Sequence, residues 1–264
     1  MGKSHGITKG EDETAKRSVT LVWMGCAYRN RLKNLEEGIM ALLTRLRVNF
    51  RLLEKEDCCG LPLIFAGYLD KATEQARKNL DKIGEVRQVV TPCPACYRAF
   101  NHFYPSLLRL NAPFRVVHLT QFLSSLLDKG ILKSSGLKPL KVKAMYHDPC
   151  ELGRHSKIYE EPRRILKAIP GLNLYEPRFT REKAACCGGG GLLYAYFPTL
   201  SSLVAARKLM DEDRVPRDLE AAVTACPQCI INLQQAWLEG EAPNVKIWDI
   251  VQVLNMALKE EEGR

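Results

Sequence analysis

The sequence has no apolar run near the roughly 20 residues a helix needs to cross a bilayer. Its first 17 residues, MGKSHGITKGEDETAKR, carry mixed charge and no apolar signal region. Direct membrane insertion is therefore not expected, the chain reads as cytoplasmic, and residues 1–17 read as a flexible tail. A basic tract is also missing: the net charge of +9 is spread through helix-like stretches, which argues against a nucleic-acid partner. No Walker lysine follows the glycine run Gly188–Gly191, and no G-x-G-x-x-G frame with a downstream acid is present, so nucleotide binding is not expected. What remains is an ordinary globular composition, 46% hydrophobic and 26% charged, with one excess. Ten cysteines in a reducing compartment point to metal or redox chemistry rather than to disulfides.

The cysteines divide into two sets of five. They stand at 26, 58, 59, 93 and 96, and again at 150, 186, 187, 226 and 229, with offsets of 124, 128, 128, 133 and 133. The second set thus repeats the first with a few residues inserted between landmarks. Their surroundings repeat too. SVTLVWMGC (18–26) and KVKAMYHDPC (141–150) are apolar runs ending in cysteine, and Cys58-Cys59-Gly60 matches Cys186-Cys187-Gly188. VVTPCPAC (89–96) matches AVTACPQC (222–229), and VVHLTQFLSSLL (116–127) resembles KIWDIVQVLNMAL (246–258), with Gln121 and Gln252 in the same place.

The apolar runs read as buried strands, and helix-like segments fall between them near 33–47, 69–83, 160–168 and 198–212. Each half therefore reads as four strand–helix pairs. The fold class expected is α/β, with two tandem homologous Rossmann-like domains, mainly parallel sheets and a pseudo-twofold duplication. After the tail, the first domain spans 18–135 and the second 136–264, divided in the Gly- and Ser-containing stretch DKGILKSSGLKP. In such sheets ligands bind at the carboxyl ends of strands. Cys26 and Cys150 follow a first strand, the Cys-Cys pairs a second and the Cys-x-x-Cys pairs a third, so distant thiols converge on one edge.

A Cys-x-x-Cys pair opening a helix serves zinc sites, iron–sulfur clusters and thioredoxin-like dithiols alike. Adjacent cysteines are harder to accommodate around one small tetrahedral ion, because neighbouring side chains of an extended segment point to opposite faces. Five thiolates also exceed the four of a structural zinc or an ordinary cluster. A ligand larger than a zinc ion, or a cluster plus a free thiol, is implied. The competing readings are buried thiols acting as small hydrophobes, zinc in one or both halves, and a metal-free dithiol. Gly60 and Gly188 suit a tight turn or the close approach of a bulky ligand.

Cysteine, then Cys-Cys-Gly, then Cys-x-x-Cys, twice over, resembles the CCG-domain (cysteine-rich) iron–sulfur family, typified by the catalytic subunit of heterodisulfide reductase (the short B-type subunit, or the C-terminal part of the D-type subunit). CCGLPLIFAG (58–67) and TPCPACYRAFNHFYP (91–105) look like its first repeat; YHDPCELGRHSKIYEEPRRIL (146–166) and CCGGGGLLY (186–194) look like its second. The resemblance implies two non-cubane 4Fe-4S clusters. One would be held by Cys26, Cys58, Cys59, Cys93 and Cys96, the other by Cys150, Cys186, Cys187, Cys226 and Cys229. It also implies reduction of a small-molecule disulfide such as the coenzyme M–coenzyme B heterodisulfide, with Cys59 and Cys187 as the catalytic positions. Both sets are complete, whereas many relatives have lost cysteines from one half. A ferredoxin-like C-x2-C-x2-C-x3-C-P run, typical of the D-type subunit, is absent. Electrons are therefore expected from a ferredoxin-like iron–sulfur subunit and, behind it, a flavoprotein or membrane cytochrome subunit. The alternative is a non-catalytic electron-transfer subunit of a dehydrogenase or quinone-linked complex.

Among the other polar residues, His147 and His155 are candidates to donate hydrogen bonds to cluster sulfur or to touch an anionic substrate. Asp148 reads as a capping acceptor at a helix start. Trp23, Trp237 and Trp248 read as core, Tyr194 and Tyr196 as core with cavity lining as the alternative, and His102 and His118 as structural or surface residues.

Overall fold

The computed structural model describes residues 20–210, 216–240 and 245–259. The expected tail, residues 1–17, lies outside the described residues. In the first half the order is β1 (Thr20–Val22), α1 (Cys26–Arg31), α2 (Lys33–Arg45), β2 (Phe50–Leu52), α3 (Leu61–Phe65), α4 (Leu69–Ile83), β3 (Gln88–Thr91) and α5 (Pro94–Arg98). A π-helical turn (Ala99–Phe103) runs on into α6 (Tyr104–Ser106), followed by β4 (Arg115–His118) and α7 (Leu119–Asp128). In the second half the order is β5 (Val142–Tyr146), α8 (Glu160–Lys167), β6 (Leu172–Tyr175), α9 (Leu193–Tyr196), α10 (Pro198–Met210), β7 (Ala221–Thr224), α11 (Pro227–Leu238), β8 (Lys246–Asp249) and α12 (Ile250–Ala257).

The strands form two four-stranded parallel sheets of identical order, β2-β1-β3-β4 and β6-β5-β7-β8. Strands β3 and β7 lie inside their sheets with helices over both faces, so their apolar residues Val89, Val90, Ala221 and Val223 are fully enclosed. Edge strands β2 and β6 alternate exposed and half-buried residues. In each sheet the chain leaves the first strand for one edge and returns to the other side of it. The crevice at this switch point lies beyond the carboxyl ends of β1 and β3, and of β5 and β7.

The expected α/β duplication is therefore the observed fold, and the halves pack by exchange of equivalent helices. Helix α2 of the first half lies on α12 of the second, and α7 of the first lies on α8 of the second, as a pseudo-twofold relation requires. Asn255 donates to the Gly38 carbonyl at 2.8 Å across one contact, and Arg164 bonds Ser124 at 2.9 Å across the other. One apolar core runs through both halves, from Leu21, Ile39 and Leu42 to Ile165, Val253 and Leu254, with a second cluster around Ala205, Leu209 and Leu233. The division proposed between residues 135 and 136 falls inside a short 3-10 turn, Ser134–Gly136.

The matching Gln121 and Gln252 have a shared cause. Each closes a capping box at the helix that follows the last strand of its half: Gln121 accepts from the His118 N–H at 3.1 Å, and Gln252 from the Asp249 N–H at 2.9 Å. His118 and Asp249 cap those helices in return.

Three expectations need correction. Asp148 does not cap a helix of its own segment; it accepts two hydrogen bonds from the buried Arg163, at 2.7 and 2.8 Å. Trp237, in the final turn of α11, is 42% exposed, while Trp23 is fully enclosed and Trp248 half-buried. Tyr196 is 67% exposed, whereas Tyr194 packs against the core as expected and also lines a cavity.

Candidate functional site

Three loops at the carboxyl ends of the strands bring each five-cysteine set together. In the first half β1 runs out through Met24 and Gly25, whose N–H groups donate to the Glu56 carboxylate at 3.0 and 2.8 Å. Arg29 bonds the same carboxylate at 3.1 Å. Glu56 thus ties the loop bearing Cys26 to the loop bearing Cys58 and Cys59. Burial pushes its pKa up against the lowering by these hydrogen bonds. Gly25 has φ +83°, and a Cβ there would stand 3.0 Å from Cys96 Sγ and 3.4 Å from Cys93 Cβ. Only glycine lets the first loop come so near the third. Cys93 caps α5, with Pro94 at its first position, an arrangement in which proline costs no hydrogen bond.

The Cys-Cys pairs are pinned through their backbone. Asn79 donates to the Cys58 carbonyl and Tyr104 to the Cys59 carbonyl, each at 2.9 Å. In the second half Asn232 donates to the Cys187 carbonyl at 2.6 Å, and Ser201 donates to the Gly188 carbonyl at 2.9 Å. Gly60 and Gly188 both turn the chain with a positive φ, +80° and +79°. Their N–H groups point back at Cys58 Sγ (3.4 Å) and Cys186 Sγ (3.3 Å).

The loop bearing Cys150 is held by a buried network. Arg163, 1% exposed, joins Asp148 to Glu176, and Asp148 also accepts from the Thr180 hydroxyl and the Arg181 N–H, each at 2.9 Å. The network links the Cys150 loop to the segment leading into Cys186. Burial opposes ionisation of Asp148, but the Arg163 hydrogen bonds outweigh it and hold the carboxyl below its ordinary range.

All ten cysteines are free thiols, and within each set they crowd. Cys187 Sγ lies 3.3 Å from Cys229 Sγ, and Cys186 Sγ 3.9 Å from Cys150 Sγ. The first member of each Cys-Cys pair is driven toward thiolate. Hydrogen bonds from Cys26 and then Cys59 bring Cys58 down to about 3, and bonds from Cys150 and then Cys187 bring Cys186 down to about 2. The neighbours move the other way: hydrogen bonding to those thiolates raises Cys26, Cys59, Cys150 and Cys187. Hydrogen bonding to Cys59 and to Cys187 is likewise the first cause raising Cys96 and Cys229. Five thiolates at such separations repel one another, and they can coexist only around a group carrying positive charge.

The two sets share one cavity of about 280 Å³. Nine of the ten cysteines line it, Cys186 excepted, and most other lining residues are apolar, including Leu61, Pro62, Phe65, Leu192 and Ala195. Two contacts between the halves flank it: Arg98 pairs with Glu151 at 2.8 Å, and Arg31 donates to the Tyr194 hydroxyl at 3.1 Å.

The expected histidines separate. His147 is buried beside the second set, with a ring nitrogen and the sulfurs of Cys187 and Cys229 all within 4.8 Å of one another. His155 is exposed; its backbone N–H bonds the Cys150 carbonyl at 3.0 Å, and no hydrogen bond among the described residues joins its ring to a cysteine. Glu56, Asn79, Tyr104, Arg163, Ser201 and Asn232 were not anticipated. Asn79 alone carried a signal, as the polar member of the buried stripe Ala72, Ala76, Asn79, Ile83.

The residues fit an iron–sulfur group on the structure's own terms. Each set offers five soft sulfur donors with backbone N–H groups directed at them, and Gly25 leaves space that a Cβ would fill. No helix among the described residues is long and apolar enough to cross a membrane.

Known proteins resemble this chain along most of its length. The chain is 32% identical over 92% of its length to the D-type subunit of the dihydromethanophenazine:CoB--CoM heterodisulfide reductase of Methanosarcina acetivorans, covering 60% of that protein. It is 34% identical to the same protein of Methanosarcina barkeri, covering 82% of this chain and 53% of that one. An EtfAB:quinone oxidoreductase of Syntrophomonas wolfei is 31% identical over 94% of this chain and 35% of its own length. The chain thus spans little more than half the length of these reductase subunits, and about a third of the quinone oxidoreductase. The cysteine-rich (CCG) domain family matches residues 20–101 and again 144–234, one copy around each sheet. With two copies that together take in most of the chain and all ten cysteines, this protein belongs to the cysteine-rich CCG-domain family.

Proposed function

We propose that this chain is the disulfide-reducing part of an iron–sulfur oxidoreductase of heterodisulfide reductase type. One non-cubane 4Fe-4S cluster would be held by Cys26, Cys58, Cys59, Cys93 and Cys96, and another by Cys150, Cys186, Cys187, Cys226 and Cys229. The observation that carries this reading is that both sets, in all their members but Cys186, open onto one cavity. A protein that only relayed electrons would need its clusters near one another and near a partner, but not a shared apolar chamber between them.

Bound clusters would supply one-electron exchange at the cavity wall. The protein's own part is to bind, orient and exclude water. The substrate disulfide takes up two electrons and two protons, its S–S bond breaks, and two thiols leave. Leu61, Pro62, Phe65 and Leu192 offer an apolar surface suited to a disulfide and its neighbouring methylenes. Cys59 and Cys187, the second members of the Cys-Cys pairs, both face this space and are the positions proposed to act on the substrate. Arg31 and Arg98 stand near the cavity, each tied to a residue of the other half that lines it, where they can meet an anionic substituent. A ferredoxin-like iron–sulfur subunit would supply the electrons, fed in turn by a flavoprotein or membrane cytochrome subunit.

The likeness to an EtfAB:quinone oxidoreductase favours a second reading, a non-catalytic subunit passing electrons between a flavoprotein and a quinone. Anaerobic turnover of a small disulfide by the isolated chain, driven by a reduced viologen dye, separates the two. Thiol release that is lost in Cys187→Ser supports the first. Cluster reoxidation by a quinone analogue with no thiol release supports the second.

A further inference from the structure

His147 stands three residues before the first cysteine of the second set, and Trp23 three residues before that of the first. The two positions are structurally equivalent. The Trp23 N–H donates to the Val90 carbonyl and the His147 N–H to the Val223 carbonyl, both at 2.8 Å. Both side chains are enclosed, at 0% and 2% exposure. Among the described residues, both also leave ring nitrogens without a partner: Nε1 of Trp23, and Nδ1 and Nε2 of His147.

A buried, unpartnered polar group costs about 1–3 kcal/mol, so such atoms are normally satisfied by something. For His147 the direction is known. One of its ring nitrogens lies within 4.8 Å of Cys187 Sγ and Cys229 Sγ, which are themselves 3.3 Å apart. A neutral imidazole always carries one N–H. Its ring therefore holds a donor beside the sulfur-lined wall of the second half, where no described residue accepts its hydrogen bond.

We propose that His147 is a positioning residue that donates a ring N–H hydrogen bond to sulfur of the second-half cluster, raising the potential of that cluster alone. The proposal rests on the iron–sulfur reading of the site. A donor N–H stabilises the extra negative charge that reduction places on the sulfurs, so its loss makes reduction harder.

The test is an anaerobic redox titration of the cluster-loaded chain, followed by electron paramagnetic resonance, after iron and sulfide have been counted. A chain without iron and sulfide defeats the iron–sulfur reading itself, whereas a loaded chain tests His147. In His147→Leu, one of the two cluster transitions should move to more negative potential while the other stays, and His147→Gln, which keeps an N–H, should largely restore it. No shift, or equal shifts in both transitions, overturns the proposal. If His147→Leu fails to load, the native protein labelled with 15N-histidine decides. A weak nitrogen coupling accompanied by an exchangeable proton upholds the hydrogen bond, while no coupling, or the strong coupling of a nitrogen bound to iron, overturns it.

Discussion

Tyr28 donates a hydrogen bond to Asp249 at 2.8 Å, joining the helix that opens with Cys26 to the cap of the last helix of the second half. Both residues are buried, and the bond crosses from one half of the duplication to the other. Tyr28→Phe leaves a buried carboxyl oxygen without its donor and should destabilise the protein by about 1–3 kcal/mol. Anaerobic urea unfolding checks this. An unchanged midpoint would mean that the bond contributes nothing to holding the halves together.

His118 and Asp249 occupy the same cap in the two halves and should respond to acid in opposite senses. Burial lowers His118 from 6.5 to about 3, so the unfolded chain takes up a proton in that interval that the folded one refuses. Its contribution is present above pH 6.5 and is lost as pH falls toward 3. Burial raises Asp249 from 3.8 to about 6, so here the folded chain holds the extra proton. That contribution is present below pH 3.8 and is lost as pH rises toward 6. The two oppose each other over about pH 4–6. Relative to the unaltered protein, His118→Asn should tilt stability in favour of acid there, and Asp249→Asn against it. Each change in slope is at most about 1.4 kcal/mol per pH unit. Stability curves at several pH values check both signs.

Removing Arg163 should damage one half selectively. Arg163→Met strands the buried Asp148 carboxylate, a loss of about 3–5 kcal/mol, and frees the loop that carries Cys150. Iron bound per chain should fall by about half, with the first set still loaded. Loss of all iron would show that the halves cannot be loaded separately.

Gly25→Ala probes the other half. The new Cβ would stand 3.0 Å from Cys96 Sγ on a backbone of φ +83°, an arrangement that L side chains rarely adopt. The first set should lose its metal while the second keeps it, and this loss should add to that of Arg163→Met in the double variant. Normal iron content in Gly25→Ala would mean that the three loops do not need this close approach.

Most of the fold was legible because the chain carries its own internal comparison. Apolar runs such as VTLVW and AAVT mark strands enclosed on both faces, and in both copies each cysteine-bearing loop begins where one of these parallel strands ends. The ten thiols were legible as two sets for the same reason. Asn79, Asn232, Glu56 and Arg163 were not, because a buried polar residue shows its use only when the carbonyl or carboxylate it serves is brought up from a distant segment. The duplication gave no help with them. Asn79 lies on α4 and Asn232 on α11, so the two halves pin their Cys-Cys pairs from non-equivalent positions. His155 is near Cys150 in sequence, yet it is exposed and no hydrogen bond among the described residues joins its ring to a cysteine. Tyr196 and Trp237 misled because an aromatic residue at a short helix or in a final turn need not reach the core.

The central claim, that each half holds a four-iron cluster, is tested most directly by counting iron, zinc and acid-labile sulfide per chain in anaerobically prepared protein. About eight iron and eight sulfide with no zinc are expected. About four iron with one zinc would reduce one half to a structural role, and zinc alone would mean that neither half holds a cluster.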